Sequence, residues 1–204
     1  MKKILLMLLC GALMLSVFAC DKPKKSSNPP KMDPPEWEEL ADEYDDWSRE
    51  CVNYQASFRK APDNPVNQNM VKKWPRDIKD WNVRIAEMLD ELKDFPNEKK
   101  AFIEELKKVS KRLNDADVVE VTADDVEAFL DEYNAWVEGY LAFLEEHKDN
   151  KVSEAYKSGL NNLIFETAVW WNKINHVKLG ITDAELLDAF SDEAAKLSDK
   201  VDYE

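Results

Sequence analysis

Residues 36–60 read EWEELADEYDDWSRECVNYQASFRK, and the spacing of their apolar side chains decides the fold. Large apolar residues recur there at steps of three, four or seven, which places them on one face of an α-helix. They are Trp37, Leu40, Tyr44, Trp47, Cys51 and Phe58. The same period predicts further helices at about 65–95, 97–113, 122–147, 152–178 and from 182 to about 201. The only β-branched cluster, at 118–121, is too short to build a sheet. The fold class is therefore predicted to be all-α, a helical bundle of about six helices.

Local signals predict where several of these helices begin and end. Asn64 precedes Pro65, as an N-cap precedes a proline at the first helical position. Thr122 and Asp125 have the spacing of a capped helix start. Gly180 is predicted to end the fifth helix in a Schellman turn, which needs a residue with positive φ.

The sequence also indicates an internal duplication. The pattern D-E-Y-x-x-W occurs at 42–47 and again at 131–136. Farther along, DNPV at 63–66 resembles DNKV at 149–152, and WN at 81–82 resembles WN at 171–172. The common order predicts two copies of a three-helix unit, at 36–114 and 123–204, with the matched Tyr and Trp in equivalent core positions. Chance similarity between amphipathic helices is the alternative.

The first 20 residues, MKKILLMLLCGALMLSVFAC, have the pattern of an export signal. Lys2 and Lys3 give a positive start, and an apolar run of about 15 residues follows, which is shorter than the roughly 20 that a membrane-spanning helix needs. Ala19 is a small residue directly before Cys20, as a signal peptidase requires.

The end of this segment, Val17-Phe18-Ala19-Cys20, resembles the lipobox of bacterial lipoproteins. The resemblance covers residues 1–20 only, and no family is recognised for the rest. It implies that residues 1–19 are a signal peptide and that Cys20 becomes the first residue of the mature chain and carries acyl chains. Several acyl chains, at about 0.8 kcal/mol per buried methylene, make a lasting membrane anchor. It also implies a lipid-anchored protein of the bacterial cell envelope that faces the periplasm or the cell exterior. An ordinary secretory signal with a coincidental cysteine is the alternative.

Between the anchor and the helices, residues 20–35 are predicted to form the lipidated cysteine and a flexible tether. The stretch DKPKKSSNPPKMDPP is rich in Pro, Ser and Lys and has no hydrophobic period. It would reach at most roughly 45 Å, at ~3.1 Å per residue of extended chain.

The helical domain, residues 36–204, holds 22 basic and 40 acidic residues. Such a surface repels nucleic-acid phosphates, so a nucleic-acid partner is excluded. The same charge favours a cationic protein partner.

The chemistry-bearing residues point to no catalytic site, metal or cofactor. The chain has two histidines, and neither belongs to a zinc-binding spacing. His147 is interpreted as a helix-end residue and His176 as part of a polar helix face. Cys51 is predicted to be a buried small hydrophobe, with a reactive thiol as the alternative. Enzymatic activity is therefore disfavoured, although a site assembled between helices stays open.

The fifth predicted helix gives the binding candidates Phe165, Trp170 and Trp171. The stretch LIFETAVWW, at 163–171, is apolar over more of its circumference than a surface helix needs. An aromatic groove for a ligand or partner is the functional interpretation, and a central helix packed on two sides is the structural one.

Two functions follow as hypotheses. The first is a non-enzymatic envelope lipoprotein whose helical domain binds a protein partner or has a structural role. The second is a small-molecule or glycan binder, or a hydrolase, that uses a cleft between the two helical halves. A deep pocket with convergent carboxylates or exposed Trp would favour the glycan or hydrolase form.

Lipidation predicts a simple labelling result. In cells fed a labelled fatty acid, the chain should carry label, and Cys20→Ser should lose it because the acceptor sulfur is gone. Cys51→Ser is the matched control and should keep the label. Label retained in Cys20→Ser would contradict the anchor.

Overall fold

The helices of the chain follow one another with short connections. A computed structural model describes residues 36–201; the predicted signal peptide, Cys20 and the tether lie outside the described residues. The α-helices are α1 Glu36–Lys60, α2 Pro65–Glu91, α3 Pro96–Asn114, α4 Ala123–Glu146, α5 Glu154–Gly180 and α6 Ala184–Ser198, with a 3₁₀ turn at Leu92–Asp94. Residues 36–201 contain no strand, so the predicted all-α bundle of about six helices is confirmed. None of these helices is long and apolar enough to cross a membrane.

Two of the predicted helix starts are confirmed by their hydrogen bonds. The Oδ1 atom of Asn64 accepts a hydrogen bond from the backbone N–H of Val66 at 2.9 Å. At the start of α4, the hydroxyl of Thr122 accepts from the N–H of Asp125, and the Asp125 carboxylate accepts from the N–H of Thr122. Each cap gives a partner to N–H groups that the first helical turn leaves unpaired.

The predicted Schellman turn at Gly180 is wrong. Among the described residues no glycine has a positive φ, and α5 runs through Gly180 into the extended residue Ile181. The glycine serves close packing instead. A Cβ atom at Gly180 would lie 2.2 Å from the carbonyl oxygen of Val119, and the N–H of Val121 donates to the Gly180 carbonyl at 3.0 Å. The α3–α4 connector therefore lies directly on the end of α5.

Helix α5 lies at the centre of the bundle. It packs on α2 and α3 of the first half and on α4 and α6 of the second half. Helix α1 packs on α2 and α3, and α4 packs mainly on α6. A helix with neighbours on several sides must be apolar around most of its circumference, which accounts for the composition of residues 163–171.

Each half contains the same aromatic cluster. In the first half Tyr44 stacks on Trp47, with ring centroids 5.5 Å apart, and lies 4.9 Å from Trp81. In the second half the corresponding distances are 5.8 Å for Tyr133 and Trp136 and 5.2 Å for Tyr133 and Trp170. Both clusters join the first helix of a half to its second helix.

The polar groups around the two clusters also correspond. The indole N–H of Trp47 donates to Asp77 at 3.5 Å, and that of Trp136 donates to Glu166 at 2.8 Å. Arg84 lies over the ring of Trp81, and Lys173 lies over the ring of Trp170, both with the charge 4.3 Å from the ring centre.

These contacts set the register between the halves. Every corresponding pair is 89 residues apart, as 133 minus 44 shows for the tyrosines. The residue that corresponds to Trp81 is therefore Trp170 and not Trp171, and the N-cap Ser153 of α5 corresponds to Asn64. The letters WN pair Trp81 with Trp171 instead, because Trp170 and Trp171 are adjacent and only Trp171 is followed by Asn. The duplication stays a prediction, and the matched contacts support it.

The packing at Gly180 predicts the effect of an added methyl group. Gly180→Ala should lower the free energy of unfolding by about 1–3 kcal/mol, because the connector must move to admit the Cβ. Thermal or denaturant unfolding measures the change.

The matched control is Gly139→Ala on α4, where an added Cβ would have nothing within 4 Å. That variant should gain about 0.5–1 kcal/mol from helix propensity. Equal effects of the two substitutions would contradict the packing argument.

Candidate functional site

The three predicted binding aromatics all belong to the core of the bundle or pack against it. Phe165 is buried and stacks on Phe58, with ring centroids 4.7 Å apart. Trp171 is also buried, whereas Trp170 is half-buried and lies against Tyr133. The described structure therefore does not bring Phe165, Trp170 and Trp171 together as one exposed patch, and their burial fits a central helix.

A cavity lies where α2 and α3 of the first half meet α5 of the second. Its volume is about 100 Å³, which is enough for several waters or a small organic molecule. The apolar part of its lining includes Ile85, Leu89, Leu106, Leu113 and Leu179. The polar part consists of Tyr44, Asn82, Ser110, Asn172, Asn175 and Lys178. No Asp, Glu or Trp lines it. This cavity occupies the seam that the second hypothesis assigns to a ligand.

Asn172 is the polar residue of this lining that packing leaves unsatisfied. Its side chain is 2% exposed, and neither Oδ1 nor Nδ2 has a hydrogen-bond partner. The amides beside it are paired: Asn175 donates to Oδ1 of Asn82 at 2.8 Å, and Asn114 donates to the Ser110 carbonyl at 2.9 Å. A buried polar group without a partner costs about 1–3 kcal/mol. Asn172 therefore destabilises the domain.

The first half has an apolar residue at the position that corresponds to Asn172. In the register set by the aromatic clusters, the first-half counterpart of Asn172 is Val83, which is half-buried. An apolar side chain of similar size is thus compatible with the equivalent helix position. From the sequence, Asn172 is one polar residue of an amphipathic helix, and only the fold shows that it is buried.

A serine and a histidine join α3 to α5 beside the cavity. Ser110 Oγ and His176 Nδ1 lie 2.9 Å apart, and Ser110 lines the cavity. Burial lowers the pKa of His176 below its ordinary value, against hydrogen bonds to backbone groups that raise it, so the ring is uncharged at neutral pH. A neutral histidine beside a hydroxyl is the contact of a general base with a nucleophile. His176 is half-buried and contacts Ser110, so it links α5 to α3 and is not part of a solvated polar face.

The other histidine and the cysteine, His147 and Cys51, have structural roles. His147 Nδ1 lies 3.0 Å from the Phe143 carbonyl at the end of α4, in agreement with its helix-end interpretation. Cys51 is 4% exposed, as predicted, and burial and then the nearby Asp77 carboxylate raise the pKa of its thiol. The thiol therefore stays protonated and is a poor nucleophile. Within residues 36–201, no three His, Cys, Asp or Glu side chains are grouped to hold a metal ion.

Comparison with known proteins gives no relative. No family model matches the chain, and no similar curated protein or solved structure was found.

The unsatisfied amide predicts a stabilising substitution. Asn172→Val should raise the free energy of unfolding by about 1–3 kcal/mol, because it removes two buried polar atoms that lack partners. Chemical unfolding of the full chain measures the change. Asn162→Val, at an exposed position of the same helix, is the control and should change stability by less than about 0.5 kcal/mol. A loss of stability in Asn172→Val would show that the amide has a partner.

Proposed function

We propose that this chain is a lipid-anchored protein of the bacterial cell envelope whose helical domain binds a cationic protein partner and is not a catalyst. The anchor rests on the resemblance of residues 17–20 to a lipobox. The observation that supports the partner is the charge of α4, which has eight acidic residues, all exposed, and no Lys or Arg. Because α4 packs mainly on α6, its other side is available to a partner.

The acidic charge is concentrated in the second half of the domain. Residues 36–114 contain 15 basic and 18 acidic side chains, whereas residues 123–201 contain 7 basic and 17 acidic ones. Much of the first half's negative charge is balanced within that half, as by the ion pairs Arg84–Glu43 and Arg112–Asp45. The second half therefore attracts a cationic protein surface more strongly than the first half does. This electrostatic attraction speeds association and favours basic partners over acidic ones.

The second candidate function is the binding of a small molecule in the seam cavity. The cavity of about 100 Å³ at the junction of α2, α3 and α5 favours it. A two-carboxylate glycoside hydrolase is not supported by this cavity, because no carboxylate lines it. The contact between Ser110 and His176 beside the cavity is the feature that favours a hydrolase.

The partner proposal predicts site-selective cross-linking in living cells. A photoreactive residue in place of Glu138, on the exposed face of α4, should cross-link to a basic protein. The same residue in place of Glu87, an exposed position of α2, is the matched control and should give little adduct.

Charge reversal tests the electrostatic basis of that adduct. With the probe at Glu138, Glu127→Lys and Glu132→Lys together should lower the adduct yield roughly tenfold, because each exposed ion pair is worth up to about 1 kcal/mol. Glu87→Lys and Glu91→Lys together carry the same change of net charge and should alter the yield less than about twofold. Equal adducts from α2 and α4, an acidic partner, or no adduct would overturn the proposal.

A further inference from the structure

We propose that the cavity between α2, α3 and α5 binds a small uncharged aliphatic molecule, which it recognises by shape and apolar contact. This inference rests on the second candidate function and is independent of the cationic partner. It names the chemical class of the ligand and the surface that holds it.

The cavity lies inside a ring of four helices. Helices α1 and α5 each pack on both α2 and α3, while α2 and α3 make few contacts with each other. The lining comes from all four helices, with Tyr44 on α1 and the other residues at 82–89 on α2, 106–113 on α3 and 172–179 on α5. Ligand sites of helical bundles are built in this way, from side chains on facing helices.

The surface that a ligand would meet in this cavity is mainly apolar. The cavity is partly open to solvent, and apolar atoms make up most of its accessible lining. Ile85 on α2, Leu106 and Leu113 on α3 and Leu179 on α5 contribute to this lining. Water in such a space has few hydrogen-bond partners, so an apolar group that displaces it gains free energy.

Polar groups of the lining are already paired or out of reach of a ligand. Asn175 donates to Oδ1 of Asn82 at 2.8 Å. Ser110 Oγ lies 2.9 Å from His176 Nδ1. The side-chain amide atoms of Asn172 are buried, so a ligand in the cavity does not contact them. Recognition therefore depends on the apolar surface rather than on a hydrogen bond.

The charges of the lining favour an uncharged ligand. A cation would find no carboxylate there, and burial of an unpaired charge is costly. Lys178 is the cation of the lining, and it already interacts with another group of the protein. An anion would compete with that existing contact, and the formal net charge of −14 on the chain opposes its approach.

The size of the cavity limits the ligand. Its volume is about 100 Å³, whereas an engineered apolar cavity of about 150 Å³ holds benzene. In proportion, about four carbon atoms fit, and a small polar group can lie at the open side. The alcohol 2-methyl-1-propanol has this size, and its branched hydrocarbon group suits a lining rich in leucine.

Four probes separate the size requirement from the charge requirement. The alcohol 2-methyl-1-propanol has the proposed size and no charge, isobutylammonium and isobutyrate are its charged analogues, and cyclohexylmethanol is uncharged but too large. Each is titrated against the full chain in lipid nanodiscs, and ¹³C-labelled methyl groups of Ile and Leu report binding. Empty nanodiscs correct for partition into lipid. The Kd of 2-methyl-1-propanol should lie in the millimolar range, with shifts at Ile85 and Leu106, and at least about tenfold below that of each other probe.

Filling the cavity tests where the alcohol binds. Ala86 lines the cavity and is half-buried, so the larger side chain in Ala86→Leu should occupy part of the space. The Kd of 2-methyl-1-propanol should then rise at least about tenfold. Ala189→Leu, at an exposed position of α6, is the matched control and should leave this Kd unchanged.

Enlarging the cavity is a second, independent test. Leu106→Ala removes most of a lining side chain that is 3% exposed, so it should leave a larger space. The Kd of cyclohexylmethanol should then fall at least about tenfold, a gain of binding that a general loss of structure would not produce. Circular dichroism and unfolding confirm that each variant is folded. The two variants act in opposite directions, so either one tests the site if the other does not fold.

Three results would overturn the inference. The first is that no probe binds, as expected of a cavity that holds water only. The second is a charged analogue that binds as tightly as the alcohol, and the third is binding of the alcohol that is unchanged in Ala86→Leu. The first result would also remove the second candidate function, whereas the other two would leave a ligand of different chemistry or a different site. None of them bears on the cross-link from Glu138, so failure of this inference is distinguishable from failure of the partner proposal.

Discussion

The packing of α5 against α2 and α3 is the contact on which the rest of the structure depends. It is the junction between the two helical halves, and α5 also carries α4 and α6 on its other sides. A helix surrounded in this way needs apolar side chains around most of its circumference and allows few polar ones. Phe165 and Trp171 meet this requirement, while Asn172 violates it without a partner.

The two aromatic clusters explain how each half holds its first two helices together. In both, a buried tyrosine lies between two tryptophans, and one indole N–H donates to a carboxylate on the neighbouring helix. This bond gives the indole a partner at the edge of the core, where one side of the ring is apolar and the other is polar. The halves differ at one such position: Val83 in the first half corresponds to Asn172 in the second, and Asn172 but not Val83 lines the cavity.

Much of the fold could be predicted from the sequence because its signals are local. The helical period identified all the helices of residues 36–201, and the caps at Asn64 and Thr122 depend on groups within three residues. The candidate site was not accessible in the same way. The letters WN pair Trp81 with Trp171, whereas the contacts pair Trp81 with Trp170, and residues 163–171 favour a packed central helix but leave a groove open. Only contacts between helices separate such alternatives.

Taken alone, the sequence determined the all-α class, most helix ends and the acidic charge. Periodicity and capping act within one or two helical turns, and composition does not depend on the fold. The tertiary structure decided that Phe165 is core, that Gly180 serves close packing and that Asn172 is buried beside a cavity. These facts depend on which helices become neighbours across residues far apart in the chain. The stretch 36–60 specifies its own helix, and its burial depends on α2 and α3.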